Sequence, residues 1–173
     1  MLIDEQMPQW QLGKRNRRSV DLAAPPPISR LLEIDFGESP IIRLLFLFRG
    51  LPRRMLTLEG FLNAGFILLD RTEDEIVMGL VAQPWKLTGN IRKMDPERFQ
   101  TFDQPDYVKV AWNFHYERRD GRVTAVGTET RIRSTSAKAA RRFAAYWRLI
   151  GFFSGVIRSE MLRIVCRSLS RGH

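Results

Sequence analysis

SAKAARRFAAYWRLIGFFSGVIRSEMLRIVCRSL, residues 136–169, is the longest stretch of the chain whose apolar residues keep a helical spacing. On a helical wheel Phe143, Trp147, Ile150, Ile157, Met161 and Val165 share one broad face, and Lys138, Arg141, Arg142, Arg148, Arg163 and Arg167 lie largely behind it. At about 1.5 Å per residue a helix capped by Ser136 reaches about 50 Å, enough to cross a small domain, so the rest of the chain is expected to build against it. Tyr146, Leu149, Phe152, Phe153 and Val156 widen the apolar surface beyond one sheet contact. Gly151 and Gly155 each cost roughly 1 kcal/mol relative to alanine inside a helix, which implies close helix packing, a bend or access to a cavity.

Immediately before this helix, residues 107–133 read as a β-hairpin. Val108, Val110, Trp112, Phe114 and Tyr116 alternate strictly and so share one face of the first strand. A three-residue loop, Arg119-Asp120-Gly121, pairs Arg118 with Arg122, which places Trp112 opposite Thr128 and Val110 opposite Thr130. Large aromatics against threonines leave a recess instead of a close-packed seam unless the long helix fills it. The opposite face carries Lys109, Asn113, His115, Glu129 and Arg131, and its charge alternation is expected to face solvent.

Upstream, residues 1–17 form a loosely held basic arm, with Trp10 and Leu12 available for docking. A first strand is expected over 19–24, with Val20 and Leu22 inward, stopped by Pro25-Pro26-Pro27. Pro27 opens a short helix through Leu31 towards Phe36, and Ser39-Pro40 is an N-cap and N1 pair for a second helix ending at Gly50. That helix is apolar nearly all round, which predicts burial, with an exposed patch as the alternative. Thr57 caps a short helix, strands follow over 66–69 and 75–83, Pro84-Trp85 ends the latter, and Asp95-Pro96 starts another helix carrying Phe99 and Phe102.

A chain of 173 residues with 44% hydrophobic content makes one domain, 18–169, followed by a tail, 170–173. Twenty-eight Lys and Arg against nineteen Asp and Glu give a net charge of +9, which favours anionic lipid, polyanions or an acidic partner. No zinc-ligand spacing, basic zipper or RNP-like run accompanies it, which argues against nucleic acid. Cys166 alone makes neither a disulfide framework nor a cysteine metal cluster, and a reducing cytoplasmic location fits. The two histidines lack ligand spacing, so neither metal nor cofactor is expected. His173 has no argument for function. No secretory signal is legible at the N-terminus, and residues 40–48 fall far short of the roughly 20 a spanning helix needs.

A first strand, two short helices, a run of antiparallel strands and a long last helix is an order that resembles the START-like, or SRPBCC, superfamily. The residues that carry the resemblance are Glu38-Ser39-Pro40, Val81-Ala82-Gln83-Pro84-Trp85, Lys109-Val110-Ala111-Trp112-Asn113-Phe114, Thr128-Glu129-Thr130-Arg131 and residues 143–150. The resemblance implies an α+β helix-grip fold and a mainly apolar cavity between sheet and last helix, with no universal catalytic set.

Three functions follow. The first is non-catalytic binding or transport of a small hydrophobic ligand such as a lipid, aromatic or polyketide-like molecule, with Trp85, Trp112, Phe114, Thr128, Thr130, Trp147 and Ile150 around it and an anionic membrane as a peripheral partner. The second is a cyclase- or hydrolase-like enzyme using Asn113, His115, Glu129 and Arg131, which requires those residues to flank a cavity. The third is an interaction module, a homodimer joined through residues 39–48 and 146–156.

Overall fold

The computed structural model describes residues 1–48 and 50–171; Arg49, which the sequence reading assigns to its second helix, and Gly172 and His173 of the expected tail lie outside them. Helix α1 (Leu2–Gln6) precedes strand β1 (Leu12–Leu22), and 3-10 turns at Ile28–Glu33 and Phe36–Glu38 lead to α2 (Pro40–Phe48). A further 3-10 turn and α3 (Leu58–Asn63) are followed by β2 (Ile67–Arg71) and β3 (Glu75–Ala82). Then come α4 (Pro96–Thr101), β4 (Val108–Arg119), β5 (Arg122–Ser134) and α5 (Ala137–Ser170). The strands make one antiparallel sheet in the order β1-β5-β4-β3-β2. Curved around α5, it is an α+β helix-grip arrangement.

Helix starts follow local capping chemistry. Ser136 Oγ accepts from Ala139 N at 3.1 Å, Ser39 Oγ from Ile42 N at 3.3 Å, Thr57 Oγ1 from Gly60 N at 2.9 Å and Asp95 Oδ1 from Arg98 N at 2.7 Å. Each satisfies an amide that the first helical turn leaves without a partner. Ser39 Oγ also donates to Glu160 Oε2 at 3.3 Å, which ties the start of α2 to α5.

Each sheet face has its own core. On the inner face Ile76, Met78, Trp112, Phe114, Tyr116 and Val126 pack with Ile157, Met161 and Val165 of α5. Phe114 is fully buried, so truncation to alanine would cost about 3–5 kcal/mol. On the outer face Ile67, Leu69, Val77, Val81 and Ala111 are covered by Ile3 and Met7 from the N-terminus and by Phe99 of α4.

The structure corrects the sequence reading in four places. β1 begins at Leu12, not Ser19: its polar residues show no periodicity because it is an edge strand, held by backbone pairing to β5 from Leu12↔Ile132 to Ser19↔Ala125. The arm over 1–17 therefore contains α1 and half a strand, with Ile3 fully buried. The hairpin register is displaced by two: Trp112 lies opposite Thr130 and Phe114 opposite Thr128. Asp120 (φ 51°) and Gly121 (φ 76°) form a two-residue turn with both φ positive, and a bulge beside Glu117/Arg118 adds one more residue. Beyond the bulge the shift is even, so those side chains keep their expected faces, whereas Val123, expected on the outer face, pairs with Arg118 and is buried in the inner core.

The outer hairpin face is not exposed. Lys109, Asn113, His115, Glu129 and Arg131 are all buried there, so His115 is not a solvent-facing sheet residue. The cover is long-range: the Arg131 guanidinium lies 3.9 Å from the centre of the Trp10 ring, and Lys109 Nζ sits over the Phe99 ring. Finally, α2 is buried only along Ile42 and Phe46, while Leu44, Leu47 and Phe48 are exposed. Among the described residues no helix is long and apolar enough to cross a membrane.

Candidate functional site

A cavity of about 190 Å³ lies between the inner sheet face and the middle of α5. The strands contribute Leu80, Val110, Trp112, Thr130 and Ile132; α5 contributes Phe143, Trp147, Ile150, Ser154, Ile157 and Arg158; Phe46, Leu51, Phe61 and Phe66 close the far side. The walls are built from the alternation of β4 and β5 and from the turn-by-turn spacing of α5. Their aromatics hold one another: Trp112 meets Phe61 edge-on at 5.5 Å between ring centroids, and Trp147 stacks on Phe143 at 5.4 Å.

Of the residues singled out as cavity walls, Trp112, Thr130, Trp147 and Ile150 line this space together. Phe114 is core, fully buried against Trp112 at 5.3 Å. Thr128 is fully buried and already engaged: its Oγ1 accepts from Trp112 Nε1 at 2.9 Å and donates to Asn113 O at 2.6 Å. Those bonds fix the indole that forms one wall. Trp85 packs against the Phe143 and Trp147 cluster outside the cavity, beside a shallow cleft with Lys86, Arg142 and Tyr146. Its Nε1 is buried without a partner.

The cavity lining contains a charge, and sequence reasoning missed it. Arg158 is 6% exposed, and its Nη1 donates to Ser154 Oγ at 2.9 Å. Among the described residues its Nε and Nη2 are buried without a hydrogen-bond partner. Burial alone pulls this guanidinium below the usual arginine range, with no neighbouring carboxylate acting in the other direction. A legible signal existed. Arg158 stands eleven residues after Trp147, which at 100° per residue places it only about 20° away on the helical wheel, inside the apolar sector.

Asn113, His115, Glu129 and Arg131 do come together, but on the outer face and in structural roles. Glu129 accepts from Arg15 Nη2 at 2.6 Å and from Arg131 Nε at 2.8 Å. Arg131 also donates to Ile3 O, Met7 O and Asp4 Oδ1, so most of its five donors are engaged in holding the N-terminal segment. Asn113 donates to Glu75 Oε1 at 2.7 Å and accepts from Glu129 N at 2.7 Å, while Glu75 in turn receives Leu2 N and Ile3 N. Burial holds His115 below the ordinary histidine range, its ring fitting over Gly127 where a side chain would collide with it. Neither the cavity nor the cleft has Glu129 or Arg131 in its lining. Cys166 is buried, which pushes its thiol pKa up and makes it a poor nucleophile.

Outside the cavity, the exposed side chains of α2 and α5 meet. Phe48 and Phe153 lie 6.0 Å apart between ring centroids and Phe153 touches Phe152 at 5.7 Å. Leu47 and Phe48 are each 76% exposed and Phe152 75%, so these residues form an apolar surface over the middle of α5. Gly155, in the same stretch, has open space where a Cβ would stand, so among the described residues no backbone approaches it closely.

No family model matches the chain, and no curated protein matches it. Among solved structures it is similar to one titled "Crystal structure of Ara h 8.0201", at 8% identity over 87% of this chain and 99% of that one, with a TM-score of 0.18. A likeness at that score carries no argument, and the fold stands on its own strand order and helix placement.

Proposed function

We propose that this chain is a START-like, Bet v 1-like binding protein that holds a small hydrophobic molecule in the cavity between sheet and α5, without chemistry of its own. The observation that carries the reading is the cavity itself. It is a recess of about 190 Å³ that the side chains of sheet and helix leave unfilled, whereas close-packed interiors keep few spaces larger than a water molecule. Apolar and aromatic walls with a few polar groups are the make-up of a ligand pocket. The volume is smaller than that of drug-sized pockets, so the molecule is a short-chain or single-ring compound.

The test is a titration with 1-octanol followed by tryptophan fluorescence, since Trp112 and Trp147 form the walls. The expected result is a saturable change at one molecule per chain that Ile150→Trp abolishes by filling the space. A linear change, or one unaffected by Ile150→Trp, contradicts the reading.

The apolar surface around Phe48 and Phe152 supports a second element of the proposal, contact with an anionic membrane from which the ligand is taken. Arg43, Arg53, Arg54 and Arg148, all exposed, are near it in sequence, and each basic residue at an anionic surface contributes about 1 kcal/mol. Vesicles containing phosphatidylserine should sediment with the protein, and neutral vesicles should not. Concentration-dependent dimerisation without vesicle binding would assign the surface to a second copy of the chain.

A further inference from the structure

Resting on the cavity reading above, we infer that the bound molecule is a monocarboxylate and that Arg158 is the residue that holds its head group. A guanidinium remains protonated at any pH at which the protein is folded, so Arg158 is a buried positive charge and cannot neutralise itself as a lysine would. Among the described residues the cavity lining contains no Asp and no Glu, and the one hydrogen bond Arg158 makes goes to the neutral Ser154.

The same fold shows what a compensated buried guanidinium looks like. Arg131, 1% exposed, has Glu129, Asp4, two backbone carbonyls and the Trp10 ring around it. Arg158, 6% exposed, has Ser154. A buried charge left without a counter-ion is strongly unfavourable, so an anion arriving with the ligand supplies what the chain does not.

The pattern of free donors selects the anion. Nη1 is engaged by Ser154, which leaves Nε and Nη2, the two nitrogens whose N–H bonds run parallel along one edge of the guanidinium plane. That edge matches the two oxygens of a carboxylate in a bidentate pair. One guanidinium neutralises one carboxylate, whereas a phosphate dianion would leave net charge among apolar walls. A cavity of 190 Å³ lies below the range of drug-sized pockets, which leaves room for a short alkyl or single-ring body behind the head group. Alkyl and aromatic monocarboxylates share this chemistry.

The test is calorimetric titration of the whole chain with octanoate, 3-phenylpropanoate and 1-octanol, on the wild type, Arg158→Met and Arg158→Lys. In the wild type at least one carboxylate is expected to bind about ten-fold or more tighter than 1-octanol, as charge-assisted bidentate bonds require. The better of the two distinguishes an alkyl from an aromatic body. Arg158→Met should lower carboxylate affinity to the level of the alcohol without weakening the alcohol, and Arg158→Lys should restore part of the preference. Equal wild-type affinity for alcohol and carboxylates, or a preference that survives in Arg158→Met, overturns the inference and leaves the cavity reading intact. Absence of binding by all three ligands overturns both. Should Arg158→Met fail to fold, the wild-type preference and the Arg158→Lys variant decide the matter.

Discussion

Arg158 Nη1 donates to Ser154 Oγ at 2.9 Å, one turn away on α5, and this is the bond that holds a buried guanidinium beside an apolar cavity. The uncompensated charge has a consequence opposite to that of most core substitutions. Arg158→Met should raise the stability of the ligand-free protein by on the order of 1–3 kcal/mol, since it removes a buried charge and keeps an apolar stem. For a chain of this size each kcal/mol raises Tm by about 2–4 °C, which a thermal melt detects. A lower Tm would mean that the guanidinium is compensated without ligand.

The polar cluster on the outer face should behave as a clamp for the N-terminus. Glu129→Ala removes the carboxylate that receives Arg15 and Arg131, and is expected to cost about 3 kcal/mol in urea unfolding. Octanoate affinity of the folded protein should be unchanged, because the cluster and the cavity lie on opposite sheet faces. Lost binding with unaltered stability would return the cluster to the functional site.

Lys109 makes stability depend on pH in the alkaline range. Burial first, then Arg133, pushes its pKa down to about 8, against about 10.4 when unfolded. Between those values the unfolded chain keeps a proton that the native state has lost, so stability due to this group rises as pH increases from about 8 to about 10.4. Comparison of wild type with Lys109→Met by urea unfolding isolates the effect, which is bounded by about 1.4 kcal/mol per pH unit. A flat or falling difference would contradict it.

The apolar surface should separate function from stability. Phe48 and Phe152 are about three-quarters exposed, so the double substitution Phe48→Ser, Phe152→Ser should leave unfolding free energy within about 0.5 kcal/mol per site. Co-sedimentation with anionic vesicles should fall sharply. Unchanged sedimentation would remove this surface from the membrane contact.

Much of this molecule could be read locally. Ser136, Ser39-Pro40, Thr57 and Asp95-Pro96 start helices where their short-range chemistry says they should, and the alternation from Val108 to Tyr116 assigns the side chains of that strand to their faces. The register was not legible, because the shorter turn at Asp120-Gly121 and the bulge beside Glu117 displace it in the same direction. Burial of the outer face depends on contacts such as Trp10 with Arg131 and Leu2 with Glu75, more than seventy residues apart, which leave no periodic trace. Within the cavity, Trp112, Thr130, Trp147 and Ile150 were reachable from patterning, whereas Phe114 and Thr128 share their face but are enclosed by neighbours. Arg158 was passed over because a charge on a long basic helix is ordinarily solvated.

The most direct measurement of where a ligand sits is an isotope-filtered nuclear Overhauser spectrum of labelled protein with saturating unlabelled octanoate. Contacts are expected from the alkyl chain to the ring protons of Trp112 and Trp147 and to the methyl groups of Ile150, with none to Leu44 or Phe152. Contacts confined to the outer surface at Phe48 and Phe152, or none at all under saturation, would contradict it.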